Sequence, residues 1–262
     1  MKIYADNAAT TRVSDTALAA MTPCFQEIYG NPSSLHTPGQ RAAEKLAAAG
    51  RSLHGTCMRI PGRSPSPPAA ARRTTRPSVP RRLGEKRGKR HIVSTKFEHH
   101  AVLHTLQALE REGFEVTLLD IPPDGVVTAE QVRDAIRPDT CLVSVMFANN
   151  EIGTIQPIAE IGALCREKGI PFHTDAVQAV GHLAIDVERD QIDMLSLSAH
   201  KFHGPKGIGA LYAKRGIILE TIINGGAQER GNARVQRISL PSWAWQRLWK
   251  KPVRPWTSTA QN

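Results

Sequence analysis

Three short apolar runs constrain this chain more than anything else in it: TCLVSVMF at Thr140–Phe147, IPFHT at Ile170–Thr174 and IDMLSLS at Ile192–Ser198. Each has the length of a strand, and each is apolar enough that both of its faces have to be covered. The stretches around them read as the cover. His100–Gly113 sets Leu103, Leu106 and Leu109 on one helical face, and Thr128–Ile136 reads as a helix with a threonine N-cap candidate. Pro157–Lys168 is a third helix, closed by Gly169. Arg90–Thr95 and Phe114–Ile121 are further strands, the second ended by the turn Pro122-Pro123-Asp124-Gly125. Strands alternating with helices predict an α/β chain with a mostly parallel sheet and helices on both faces.

In sheets of that kind, binding sites form at the carboxyl ends of the strands. Polar residues gather at those ends here: Asn150 after the first run, Asp175 after the second, and Ser198, His200 and Lys201 after the third. A Gly/Pro-rich turn follows Lys201 at once. A lysine and an aspartate at neighbouring strand ends are the pair a pyridoxal phosphate site needs. The amine binds the cofactor's aldehyde, and the carboxylate keeps the ring nitrogen protonated so that the ring draws electrons.

A formal net charge of +10 would ordinarily suggest nucleic acid as a partner. Its distribution points elsewhere. Arg51–Arg82 holds eight arginines and six prolines, and Asn232–Asn262 holds six Lys/Arg and all four tryptophans. Neither contains an acidic residue, so all 24 Asp and Glu lie in the remainder, which is net negative. With no recognition motif beside the two patches, no nucleic-acid partner is expected. No apolar run approaches the ~20 residues of a membrane span. The N-terminal MKIYADNAATT lacks the regions of a signal peptide. The expected location is therefore the cytoplasm, with no membrane partner. Cys24, Cys57, Cys141 and Cys165 stand far apart without a C-x-x-C pair, which predicts neither a disulfide framework nor a metal site.

Seven motifs occur in order: YADNAATT (Tyr4–Thr11), GNPSSLH (Gly30–His36), EHHAVL (Glu98–Leu103), NNEIGTIQPI (Asn149–Ile158), HTDAVQAVG (His173–Gly181), SAHKFHGPKGIGALY (Ser198–Tyr212) and GGAQERG (Gly225–Gly231). Together they closely resemble the cysteine desulfurases, a class V group of aminotransferase-fold pyridoxal phosphate enzymes. The resemblance implies the large domain of the type I aminotransferase fold and pyridoxal 5'-phosphate as cofactor. By the same resemblance, Lys201 would carry the cofactor and later move protons at the substrate's α-carbon. His99 would stack on the ring and assist proton transfer, and Asp175 would partner the ring nitrogen. Asn150 and Gln178 would lie near the ring hydroxyl, Ser198 and His200 on the phosphate, and Asn31 near the substrate. His100, His203 and Lys206 are read as structural or surface residues. The implied reaction turns L-cysteine into L-alanine. Its sulfur would pass as a persulfide to a sulfur-acceptor or iron–sulfur scaffold protein, in a homodimer with sites near the subunit interface. A selenocysteine lyase or an aminotransferase of the same class stays open.

The chain departs from this family in two places. Before LGEKRGKR (Leu83–Arg90) the family carries a Gly-rich TSGG cup, whose N–H groups and hydroxyls bind the cofactor phosphate. Arg51–Arg82 stands there instead, without helical or strand period and with the composition of a linker or basic arm. From Ser52 onward, the same codons in a shifted frame can encode that cup and rejoin at LGEKRGKR. One base lost after Gly231 would likewise turn the family's continuation into Asn232–Val253. Both patches are accordingly expected to be out-of-frame segments. The expected organisation is an N-terminal segment (1–50), an anomalous segment (51–82), the large cofactor-binding domain (83–231) and a basic tail (232–262). The small C-terminal domain is expected to be missing. It would carry the loop cysteine that attacks the substrate's sulfur and the arginine that binds its carboxylate, and none of the four cysteines sits in that loop's motif. The chain then reads as a desulfurase of impaired activity, or as a non-catalytic remnant.

Overall fold

The computed structural model describes residues 3–57, 84, 88–214 and 216–217. The basic segments beyond Cys57, at 58–83 and 218–262, lie outside the described residues. With them go the position of the Gly-rich cup, the GGAQERG motif and the four tryptophans. In chain order the elements are α1 (Asp15–Gln26), α2 (Thr37–Cys57), β1 (His91–Thr95), α3 (His100–Glu110), β2 (Glu115–Leu119) and α4 (Ala129–Ala135). There follow β3 (Thr140–Ser144), α5 (Ile158–Glu167), β4 (Phe172–Asp175), β5 (Met194–Ser198), a one-turn 3₁₀ segment (Ala199–Lys201) and β6 (Gly209–Ala213).

The strands form one sheet in the order β2-β1-β3-β4-β5-β6. All neighbours are parallel except β5 and β6. Every residue of β1, β3 and β4 is buried, as expected of parallel strands covered on both faces. Successive side chains feed opposite cores. Ile92, Leu142 and Met194 pack with Val102, Leu106 and Leu109 of α3. Val93, Val143 and Leu195 pack with Val132 of α4 and with Ile158, Ile161 and Leu164 of α5. Helices thus cover both faces, as expected.

Two buried histidines tie the sheet laterally. His91 on β1 reaches Thr140 Oγ1 (2.7 Å) on β3 and Thr117 Oγ1 (2.9 Å) on β2. His173 on β4 does the same with Ser144 Oγ and Ser196 Oγ, both at 2.9 Å, on β3 and β5.

Most expected elements shift only at their ends. The α4 helix opens with a capping box, in which Thr128 accepts from the Gln131 N–H and the Gln131 side chain accepts from the Thr128 N–H. The expected helix to Gly113 stops at Glu110, and Gly113, at φ +87°, turns the chain into β2. The β3 strand ends at Ser144, yet the Val145 and Phe147 N–H groups still donate to the His173 and Asp175 carbonyls. Its extended backbone therefore reaches the expected Phe147. Helices α1 and α2 and strand β6 were not expected. One expectation needs correction: Arg51–Arg82 is not aperiodic from its start, because α2 runs on through Cys57. Nothing in RSLHGTC breaks a helix, and the first proline of that segment is Pro61. Among the described residues, no helix is long and apolar enough to cross a membrane.

From β1 the chain steps outward to β2 and then returns to build β3 to β6 on the other side. The strand order reverses between β1 and β3. That reversal opens a crevice at the carboxyl ends, where ligands of such sheets bind.

Candidate active site

The chain leaves β5 at Ser198 and turns immediately, so Lys201 stands at the strand's carboxyl end. The turn closes through the Phe202 and Gly204 N–H groups, both donating to the Ala199 carbonyl (3.1 and 2.9 Å). Gly181, from the loop after β4, packs against it. Its φ is +85°, and a Cβ there would lie 2.7 Å from the Phe202 Cβ. Only glycine meets both conditions.

The N-terminal residues lie across these strand ends. Thr11 donates from both its N–H and its hydroxyl to the His200 carbonyl (2.8 Å each), and accepts from the His203 N–H (2.7 Å). The Ser14 N–H donates to the His203 carbonyl (3.0 Å). The His200 ring meets the Thr10 hydroxyl at 3.1 Å. The Ala8 carbonyl accepts from two candidate residues, the Lys201 ammonium and the Gln178 side-chain amide, the latter at 2.9 Å.

Asp175 ends β4 and is 3% exposed. Its Oδ1 accepts from the Val177 N–H at 3.0 Å. Burial lifts this carboxyl to about 6, against the opposing pull of that N–H and of the Lys201 charge. Burial also lowers Lys201, while Asp6 and Asp175 act to raise it. The two groups perturb each other across adjacent strand ends.

The other candidates fall around this pair. His99 is the N-cap of α3, exposed, with its ring Nδ1 accepting from the Ala101 N–H at 3.1 Å. Asn150 is half-buried in the turn after β3. Its neighbour Asn149 shapes that turn, donating to the Phe97 carbonyl (3.1 Å) and accepting from the Glu151 and Ile152 N–H groups. Ser198 donates to the Ile208 carbonyl at 3.4 Å, and burial lowers the His200 imidazole. Asn31 is not brought into this cluster by any hydrogen bond. It is exposed between α1 and α2, where its side chain caps the Ser33 N–H.

Sequence reasoning missed two contributors. One is the Ala8 carbonyl, within the YADNAATT motif. The other is Glu98, beside His99, which is 4% exposed.

A pyridoxal-type cofactor fits the residues present. A buried carboxylate and a desolvated amine stand at neighbouring strand ends, with a histidine at the head of α3. Three buried polar atoms without a partner among the described residues, Ser94 Oγ, Glu98 Oε2 and Thr174 Oγ1, belong to the last turns of β1 and β4 or to the loop just beyond. Among the described residues no group of three or more His, Cys, Asp or Glu is arranged to hold a metal ion.

Comparisons with known proteins bear on the family and the fold. The aminotransferase class-V family model matches residues 76–248. The chain is 47% identical over 237 residues to a cysteine desulfurase IscS of Clostridium botulinum, covering 88% of this chain and 58% of that protein. It is 46% identical over 239 residues to a cysteine desulfurase IscS of Methanosarcina thermophila, covering 87% and 56%. Among solved structures it is similar to SspA in complex with cysteine, with a TM-score of 0.83 at 36% identity, covering 95% of this chain and 72% of that one. The chain thus spans under three-fifths of the length of these two curated relatives.

Proposed function

This chain belongs to the class-V aminotransferase family, and from that membership we propose that it is the cofactor-binding portion of a cysteine desulfurase, acting on L-cysteine to give L-alanine and a persulfide. The observation that carries the proposal is the Lys201–Asp175 pair, each perturbed by burial and by the other. Pyridoxal 5'-phosphate, the cofactor of this family, supplies when bound a ring that draws electrons from bonds at the substrate's α-carbon.

The chain's own residues divide the remaining work. The Lys201 amine holds the cofactor and then moves the proton at the α-carbon. Its lowered proton affinity favours the neutral form that both tasks need. Asp175 holds the proton on the ring nitrogen. His99 accepts at Nδ1 from the Ala101 N–H, which puts its ring proton on Nε2, the nitrogen that would move a proton. Ser198 and His200 take the phosphate, Asn150 and Gln178 the ring hydroxyl, and Asn31 the substrate. The thiols of Cys24, Cys141 and Cys165 are all buried, and burial pushes Cys165 up to about 12. None of these is the nucleophile that attacks the substrate's sulfur. The proposed partners are a sulfur-acceptor or iron–sulfur scaffold protein and a second copy of the chain, in the cytoplasm.

The Arg/Pro-rich segment that stands where the family carries its Gly-rich cup favours a second reading, in which this chain is a non-catalytic remnant. The out-of-frame origin of 51–82 and 232–262 belongs with it, and resequencing the gene decides it. Titrating the purified chain with pyridoxal phosphate and recording its absorbance separates the two functional readings. A bound-cofactor band that disappears in Lys201→Ala supports a working site. A wild-type chain that gives no band supports the remnant.

A further inference from the structure

Glu98 is the one buried carboxyl beside the site to which the proposed mechanism gives no task. It follows β1, and its two oxygens meet different surroundings. Oε1 accepts from the Met146 N–H at 2.5 Å and from the Thr95 hydroxyl at 3.5 Å. Oε2 is buried with no partner among the described residues. A carboxylate would present two equivalent acceptors and leave half its charge unsatisfied in the interior. A carboxylic acid takes both donors on its carbonyl oxygen and leaves an uncharged hydroxyl on the other, a smaller cost than half a buried charge. The charged group that acts on Glu98 is Asp175, and its charge joins burial in holding the proton on Glu98. The other ionisable groups nearby are engaged elsewhere: Lys201 acts on Asp175, Lys96 pairs with Asp120, His99 caps α3, and His173 is neutral between two serines.

Resting on the cofactor reading above, we propose that Glu98 is a positioning residue of the site, a neutral acid that ties the loop bearing His99 to the segment leading to Asn150 and spares Asp175 a second buried negative charge. The tie crosses the β1/β3 crevice, where the Asn149 side chain makes a second one to the Phe97 carbonyl. An ionised Glu98 would push Asp175 toward its protonated form and remove the charge that the ring nitrogen needs.

The test uses the full chain and the variants E98Q and E98L. Infrared spectra of glutamate-labelled protein at pH 7.5 should show a protonated carboxyl in the wild type that E98Q lacks. Hydrogen exchange at the Met146 amide should stay slow in E98Q, whose amide oxygen still accepts, and speed up about tenfold in E98L. Pyridoxal phosphate affinity should follow the same order, within about twofold for E98Q and about tenfold weaker for E98L. A wild type without the protonated carboxyl overturns the proposal, as does an E98L variant that keeps Met146 protected or binds the cofactor as the wild type does. A wild type that keeps both the proton and the protection pattern yet binds no cofactor overturns the cofactor reading alone.

Discussion

His173 and Asp175 stand two residues apart on β4, both buried, and differ in what surrounds them. His173 lies between two serine hydroxyls on the flanking strands, and burial pushes its imidazole down to about 4. His91 repeats the arrangement on β1 between two threonines. Asp175 lies where the ladder ends. Burial strains its charge rather than removing it, and the partnerless oxygens of Thr174 and Glu98 are close by in the chain or in space. Where a buried polar group has its partners within the sheet, it holds the sheet together. Where partners run out at a strand end, the interior is arranged for something arriving from outside.

The largest expected effect tests the first half of that contrast. His173→Ala removes both cross-strand hydrogen bonds and opens a cavity. Urea unfolding at pH 7.5 should show a loss of about 4 kcal/mol. Because the folded-state value near 4 is below the ordinary 6.5, the neutral ring's contribution is complete above about 6.5 and fades as pH falls toward 4. That acid slope is worth about 3 kcal/mol and should be absent from the variant. A loss below about 1 kcal/mol would erase the distinction between the two positions.

Asp175→Asn tests the other half, with the opposite sign. The folded carboxyl titrates near 6 and the unfolded one near 3.8, so the unfolded chain gives up its proton first. Stability present below about 3.8 is lost as pH rises through 6. Asn removes that penalty. The cofactor-free variant should gain about 3 kcal/mol at pH 8 and nothing at pH 3, while its pyridoxal phosphate affinity falls. A variant less stable than the wild type at pH 8 would place Asp175 with the structural residues.

What the sequence made legible follows the same division. The β3 run was readable because burial on both faces leaves a compositional trace, and Asp175 and Lys201 were readable because they end such runs. Asn150 was singled out from its neighbour by the motif, whereas the part Asn149 plays in shaping the turn became visible only in the fold. Helices α1 and α2 escaped notice, and α2 carries no acidic residue in its first turn. Strand β6 follows a Gly-rich turn and owes its pairing to β5 rather than to a pattern of its own. Glu98 stands in the EHHAVL motif with no sign of its burial, which depends on an N–H 48 residues away. The Ala8 carbonyl could not be read at all, since a backbone acceptor belongs to every residue type.

The smallest expected effect concerns Thr174, which lies between the two. Its hydroxyl is fully buried and unpartnered among the described residues. Val replaces that hydroxyl with a methyl group on the same branched frame, so nothing is lost and a desolvated oxygen is removed. Thr174→Val should therefore stabilise the chain by about 1 kcal/mol in urea unfolding. Its control is Ser196→Ala on β5, which deletes a hydroxyl of similar size and burial that does have a partner, His173 Nε2 at 2.9 Å. That change should destabilise by about 1 kcal/mol. Opposite signs from two buried hydroxyls on adjacent strands would show that partnering, and not burial, separates the sheet interior from its strand ends. If Thr174→Val destabilises instead, the Thr174 hydroxyl is satisfied after all. The partnerless set among the described residues then shrinks to Ser94 Oγ and Glu98 Oε2, at the end of β1 and in the loop just beyond it.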